Sequence, residues 1–240
     1  FGPEDHECPA PGHSPVAADA LTELARAGHL PTCTIVEGRT WHRAYSSQFG
    51  HTEANPGYGD ARFSPFNEAR TAARVPTVYL AKTPHAALLE TVLRDVGEWI
   101  VREVSEARFY GQLHVGLETT ERLRVADLRN SALTKLNIPR SAIVSSPQEH
   151  YPCTRTVAKA IHASKQNLAG IVWHSRQAEI SHRPDAEVLI LFADRLAKGR
   201  NALALTQSLT AVGAIGEGSG RIVLDELLED LGVTVVSPLS

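Results

Sequence analysis

Five polar side chains fall in a suggestive order along this chain: Arg43, Arg62, Tyr79, Glu90 and Ser175. Two arginines precede a carboxylate, and a hydroxyl at the end of a later strand follows it. Arginine grips anions with a planar fork of donors. A carboxylate held rigidly at the rim of a pocket can stabilise a developing positive charge. Each residue also has a separate structural reading. Arg43 shares strand parity with Trp41 and Tyr45, so it can stack on their rings or hold an anion beside an aromatic-lined pocket. Arg62 follows the glycine-bearing turn of GDARFSP, whose donors can meet a phosphate, or it is a solvated surface arginine. Glu90 can face a pocket, or pair with Arg94 four residues on for about 0.3–0.5 kcal/mol. Ser175 can look into a cleft or cap the next turn.

The elements that would position these groups are legible in outline. Ser14-Pro15 opens a helix whose predicted inner face is Val16, Ala20, Leu21, Leu24 and Ala27, closed by Gly28. Residues 33–45 read as two strands broken at Gly38, and 46–74 as a long irregular stretch of the kind that is functional or disordered. TVYLA (77–81) is a short strand. Thr83 is its helix N-cap and Pro84 the first helical residue. Leu89, Val92, Leu93 and Val96 follow helical spacing, which predicts a helix through Val96 with Glu90 part-way along it. Two or three strands follow over 98–126. A helical piece and a loop ending in His150 and Tyr151 come next, then a helix over 154–167 and the strand GIVWHS. A loop leads to the apolar strand 188–192. GEGSG (216–220) lacks the G-K-[ST] ending of a phosphate loop and reads as a flexible connection. A helix and a closing strand end the chain.

The 240 residues suffice for one large α+β domain. A hydrophobic fraction of 42% and a net charge of −3 are ordinary for a soluble protein and give no support for nucleic-acid binding. Cys8, Cys33 and Cys153 are too few and too scattered for a disulfide framework, which favours a reducing, cytoplasmic setting. His6, Cys8 and His13 match no zinc spacing, so no metal is expected. No apolar run approaches the roughly 18 residues of a membrane span. The chain begins at Phe1 and contains no methionine, so its natural start is expected to lie upstream.

Taken together, W-x-R at Arg43, G-x-x-R-F at Arg62, V-Y-L-A at Tyr79, T-P-x-x-A-L-L-E at Glu90 and G-I-x-W-x-S-R at Ser175 resemble the RES domain family over roughly Thr40 to Arg195. The family is named for arginine, glutamate and serine. The resemblance implies an α+β domain similar to ADP-ribosyltransferases, with mixed or antiparallel sheets and flanking helices. It implies a toxin that splits the nicotinamide–ribose bond of NAD, with water or inorganic phosphate as acceptor. NAD is then substrate rather than resident cofactor. The implied partner is an antitoxin with an Xre-like helix-turn-helix part, and a homo-oligomer is possible. In this scheme Arg43 and Arg62 hold the phosphates, Tyr79 or Tyr45 faces the nicotinamide ring, and Glu90 faces the ribose. Ser175 binds the carboxamide, the ribose or incoming phosphate.

Three departures from the family pattern are visible. The turn before Arg62 reads GDARFSP rather than a fuller G-G-R-W/F-N. The Glu90–Ser175 interval is enlarged, with 99–151 as added material, and the tail after Arg195 is long. The expected organisation is therefore a flexible arm over 1–15 and one domain over 16–240, its core about 40–195. ADP-ribosyl transfer to a protein, or binding of NAD or a partner without turnover, are the competing functions.

Overall fold

The computed structural model describes residues 13–94, 96, 101–180, 182, 186–206 and 213–237. In chain order the strands are β1 (Thr32–Ile35), β2 (Thr40–Ser46), β3 (Thr77–Ala81), β4 (Glu103–Ser105), β5 (Gln112–Thr119), β6 (Leu123–Asp127), β7 (Gly170–His174), β8 (Glu187–Phe192), β9 (Leu203–Leu205), β10 (Gly213–Ala214) and β11 (Thr234–Val236). The helices are α1 (His13–Ala27), α2 (Pro84–Leu89), α3 (Asn130–Lys135), α4 (Tyr151–His162), α5 (Arg176–Ile180) and α6 (Gly218–Leu231). One mixed sheet runs β1-β6-β7-β8-β3-β2-β5-β10, with β9 also on β5. Its pairings are antiparallel except β6 with β7. A second, small sheet pairs β4 with β11 in parallel. The molecule is an α+β domain, as the sequence led us to expect.

The sheet has to curl. β1 and β2 lie five strand spacings apart in the sheet order, about 24 Å if flat, whereas the link between them spans at most about 18 Å. The short link between β5 and β6 makes the same demand. Thr119 clasps the two links together: its hydroxyl donates to Val36 O (2.7 Å) and its carbonyl accepts from Gly38 N (2.7 Å). Inside the curl, Trp41, Val78, Leu80, Leu117, Val172 and Leu189 form a core supplied mostly by strands. The opposite side chains, among them Ile171, Trp173, Ile190 and Phe192, pack beneath α1 and α4. This is the period-two division of a strand buried on both faces.

The structure differs from the sequence pattern in several places. The buried face of α1 is Ala17, Ala18, Leu21, Thr22 and Ala25, while Val16 is 70% exposed and Ala20 and Ala27 face solvent. Small alanines let α1 approach α4 closely, so the face rotated to bring them inward. α2 ends at Leu89 instead of running to Val96. Thr91 turns its hydroxyl back to Ala87 O (2.7 Å), and Leu93 N reaches Leu88 O (3.0 Å), a wider turn than an α-helix makes. Leu89, Val92, Leu93 and Val96 are nevertheless buried. The stretch after Ser175, read as loop, contains α5.

GEGSG is no loose connection, because its last three residues begin α6. Gly220 is needed there: a Cβ would run into the Ala214 carbonyl oxygen. The stretch 99–151, read as added material, supplies β5 and β6 to the main sheet. The expected N-terminal arm lies outside the described residues except for 13–15, which belong to α1. Among the described residues no helix is long and apolar enough to cross a membrane, and no cluster of His, Cys, Asp and Glu is arranged to hold a metal.

Candidate active site

β2 and β3 pair only at His42 and Ala81. Beyond that point the strands part, and a cleft of about 270 Å³ opens in the fork. Arg43, Tyr45, Arg62, Tyr79 and Glu90 all line it. The size suits one part of a nucleotide at a time rather than a dinucleotide swallowed whole.

Glu90 is placed by α2. Thr83 accepts Ala86 N (3.1 Å) as N-cap, which is worth about 1 kcal/mol. Pro84 presets the first turn. Leu88, Leu89, Val92 and Leu93 then anchor the segment among Leu224, Leu227, Leu228 and Leu231 of α6. Glu90 is the C-cap residue, with φ −82° and ψ −5°. Its Oε1 accepts a short hydrogen bond from Ser175 Oγ (2.5 Å). Hydrogen bonds to a charged group contribute about 1.5–3 kcal/mol. The suggested Glu90–Arg94 pair gives way to other contacts. Arg94 donates to Asp60 O (2.8 Å) and to Tyr151 Oη (2.6 Å).

Ser175 is fully buried. Its oxygen also accepts Ala178 N (3.0 Å), so it caps α5 while it holds Glu90. The turn-cap reading of this serine matches the geometry, whereas the expected view into the cleft does not. It touches the carboxylate rather than the open cleft.

Arg62 is 7% exposed. Its Nη1 donates to Ile143 O (2.8 Å) and Ser146 Oγ (2.9 Å), and its guanidinium lies 5.2 Å over the Tyr151 ring. Thr154 of α4 donates to its backbone carbonyl. Burial pulls its pKa below the ordinary arginine value; the nearby Tyr151 and Glu90 oppose that shift, and Arg176 and Arg94 add to it. Arg43 donates to His51 O (2.7 Å) and stacks on Tyr45 at 5.0 Å, so it holds the turn after β2 while lining the cleft. Burial lowers its pKa to about 10. Tyr79 accepts Phe63 N (3.2 Å) and Ser64 Oγ (3.3 Å) on its hydroxyl. Burial pushes that hydroxyl up to about 12, so it stays neutral.

Arg94, Tyr151 and Arg176 are among the lining residues missed from sequence. Arg94 was visible only as an ion-pair partner for Glu90. Arg176 sits beside Ser175 in the W-x-S-R string. Tyr151 was read as loop, but it opens α4 and is buried. The guanidinium groups of Arg62 and Arg94 lie over its ring at 5.2 and 5.3 Å. A tyrosine just before proline at a helix start was the available signal.

The cleft therefore combines four arginines with Glu90 and Asp60, and Asp60 is already paired with Arg155. Such a lining favours a ligand carrying phosphate groups, with one fixed carboxylate where a positive charge can form. Fold and cleft define an α+β protein with an arginine–glutamate–serine constellation. The model of the RES domain matches residues 35–211, wider than the motifs alone suggested. The chain belongs to the RES domain family. Neither the curated proteins nor the solved structures contain a match.

Proposed function

We propose that this protein cleaves NAD at the nicotinamide–ribose bond, passing ADP-ribose to inorganic phosphate or water, and that it acts as a toxin. The observation that carries this reading is the Glu90 carboxylate, gripped by buried Ser175 beside a cluster of arginines. Arginines suit the pyrophosphate, and Tyr79 or Tyr45 gives the pyridinium ring a flat neighbour. As the C–N bond breaks, its electron pair goes to the ring nitrogen and nicotinamide leaves neutral. No strong general acid is then needed. Positive charge builds on the ribose, and Glu90 is the group to stabilise it. An oxygen of hydrogen phosphate, or of water, forms the new bond to the same carbon. With water one proton must leave, and Glu90 accepts it.

NAD is thus the substrate, phosphate a co-substrate, and no resident cofactor is invoked. By family likeness the partner is an antitoxin with an Xre-like helix-turn-helix part, seated over the cleft in the cytoplasm; self-association belongs to the same proposal. The test is nicotinamide release from NAD with phosphate varied. Release that rises with phosphate, yielding a phosphorylated ADP-ribose, supports phosphorolysis. Release indifferent to phosphate supports hydrolysis. Glu90→Gln is expected to lower kcat at least about 100-fold, or some 2.7 kcal/mol of transition-state stabilisation, with the fold intact by circular dichroism. Absence of nicotinamide release from the unmodified protein sinks the proposal.

A further inference from the structure

Two aromatic rings on the 46–59 loop have no role in the chemistry above. Tyr58 and Phe49 both line the mouth of the cleft. Tyr58 is 71% exposed. Phe49 backs it at 6.4 Å between centroids, tilted by 40°.

The loop that carries Tyr58 is built rather than loose. Asn55 Oδ1 accepts both Gly57 N (2.9 Å) and Tyr58 N (2.7 Å), and its Nδ2 donates to Tyr58 O (2.9 Å). Gly57 adopts φ +120°, and the Arg74 side chain fills the space a Cβ would need. At the far end Arg94 holds Asp60 O. Arg43 likewise ties the Phe49 side by bonding His51 O. Two of the cleft's own arginines thus fix an aromatic platform at its rim.

We infer that Tyr58, backed by Phe49, is the stacking platform for the second base of a dinucleotide, and that this chain selects dinucleotides over mononucleotides. The inference rests on the proposed function, which sets the reacting bond at Glu90. The arginines take the pyrophosphate, and the remaining adenosine emerges at the mouth. A flat, exposed ring there gains contact area with a base at little ordering cost, because the loop is already held.

The experiment has two arms. Binding of ADP-ribose and of ribose 5-phosphate is measured by calorimetry for the unmodified protein, Tyr58→Ala and Tyr58→Trp. Turnover of NAD and of nicotinamide mononucleotide is measured for the same proteins. Tyr58→Ala is expected to weaken ADP-ribose binding and raise KM for NAD about ten-fold, the size of one base–aromatic stack. It should leave kcat, mononucleotide KM and ribose 5-phosphate binding unchanged, and Tyr58→Trp should restore tight binding. Equal shifts for mono- and dinucleotide, or no shift with either, overturn the inference. If no protein turns over NAD yet ADP-ribose binding still depends on Tyr58, the reaction fails and the platform stands. If ADP-ribose does not bind at all, the platform fails too.

Discussion

Glu90 and Ser175 are 85 positions apart and share one short hydrogen bond. That bond makes Ser175 a positioning residue: it fixes the carboxylate and, through Ala178 N, the start of α5. Ser175→Ala removes both contacts. We expect a loss of about 2–4 kcal/mol in stability from the lost cap and hydrogen bond. We also expect kcat for NAD to fall about ten-fold while KM changes little. Ser175→Thr, which keeps the hydroxyl, should recover much of kcat. A kcat that stays level while only the melting temperature drops would reduce Ser175 to a cap. The arginines read from sequence as anion holders have structural bonds as well: Arg43 holds a turn, and Arg62 holds the 143–146 loop. The two readings of each residue are not exclusive, because a guanidinium has five donors in a fork and can serve both sides.

At the scale of elements, α2 depends on the C-terminal helix. Tight local signals (Thr83, Pro84) start α2, but it is too short to stand alone, and its apolar side chains share one core with α6. The long tail after Arg195 therefore supplies the seat of the segment that carries Glu90. Leu227→Ala, at a position that no motif includes, should cost ~2–5 kcal/mol. It should also lower kcat through a displaced Glu90. Denaturant unfolding and steady-state kinetics on the same sample check both.

β2 and β5 offer a second element-level test. His42 and His114 stack at 5.2 Å with Nδ1 3.2 Å from Nε2. Burial lowers both to about 4 from the ordinary 6.5; Lys82 adds to the shift at His42, and His42 and His85 add to it at His114. In the unfolded chain each takes its proton near the ordinary value, so between 6.5 and 4 the unfolded state binds more protons. Stability should be full above that window and fall as pH drops through it. Urea midpoints measured across the range should show the decline, and His114→Gln should flatten it.

For the whole molecule, charge is distributed unevenly. The chain carries −3 overall, yet four arginines line the cleft. Such a local field draws an anionic ligand inward and is screened by salt. We expect kcat/KM for NAD to fall several-fold between about 0.05 and 0.5 M ionic strength, where the Debye length shrinks to a few ångströms. A flat salt profile would mean that the arginines act only as scaffold. The curl of the sheet is the other whole-molecule feature. It brings the β1–β2 and β5–β6 links together at Thr119, and the β2–β3 pair parts where the cleft opens.

Much of this was written in the sequence, because local chemistry writes locally. Proline after threonine started α2 where predicted, alternating apolar runs marked the strands, and the arginine, tyrosine and glutamate strings fell on the cleft lining, with Ser175 bonded to Glu90. Other features depended on contacts that no window of sequence contains. The face of α1 was set by how closely α4 could approach it. The end of α2 was set by Thr91 and by the core it shares with α6. Tyr151 became a cleft residue only when α4 brought it against Arg62 and Arg94. The sequence by itself determined which side chains could do chemistry. The tertiary structure decided which of them meet and which partner holds each one still, since a hydrogen bond such as Ser175–Glu90 exists only after the chain between has folded back on itself.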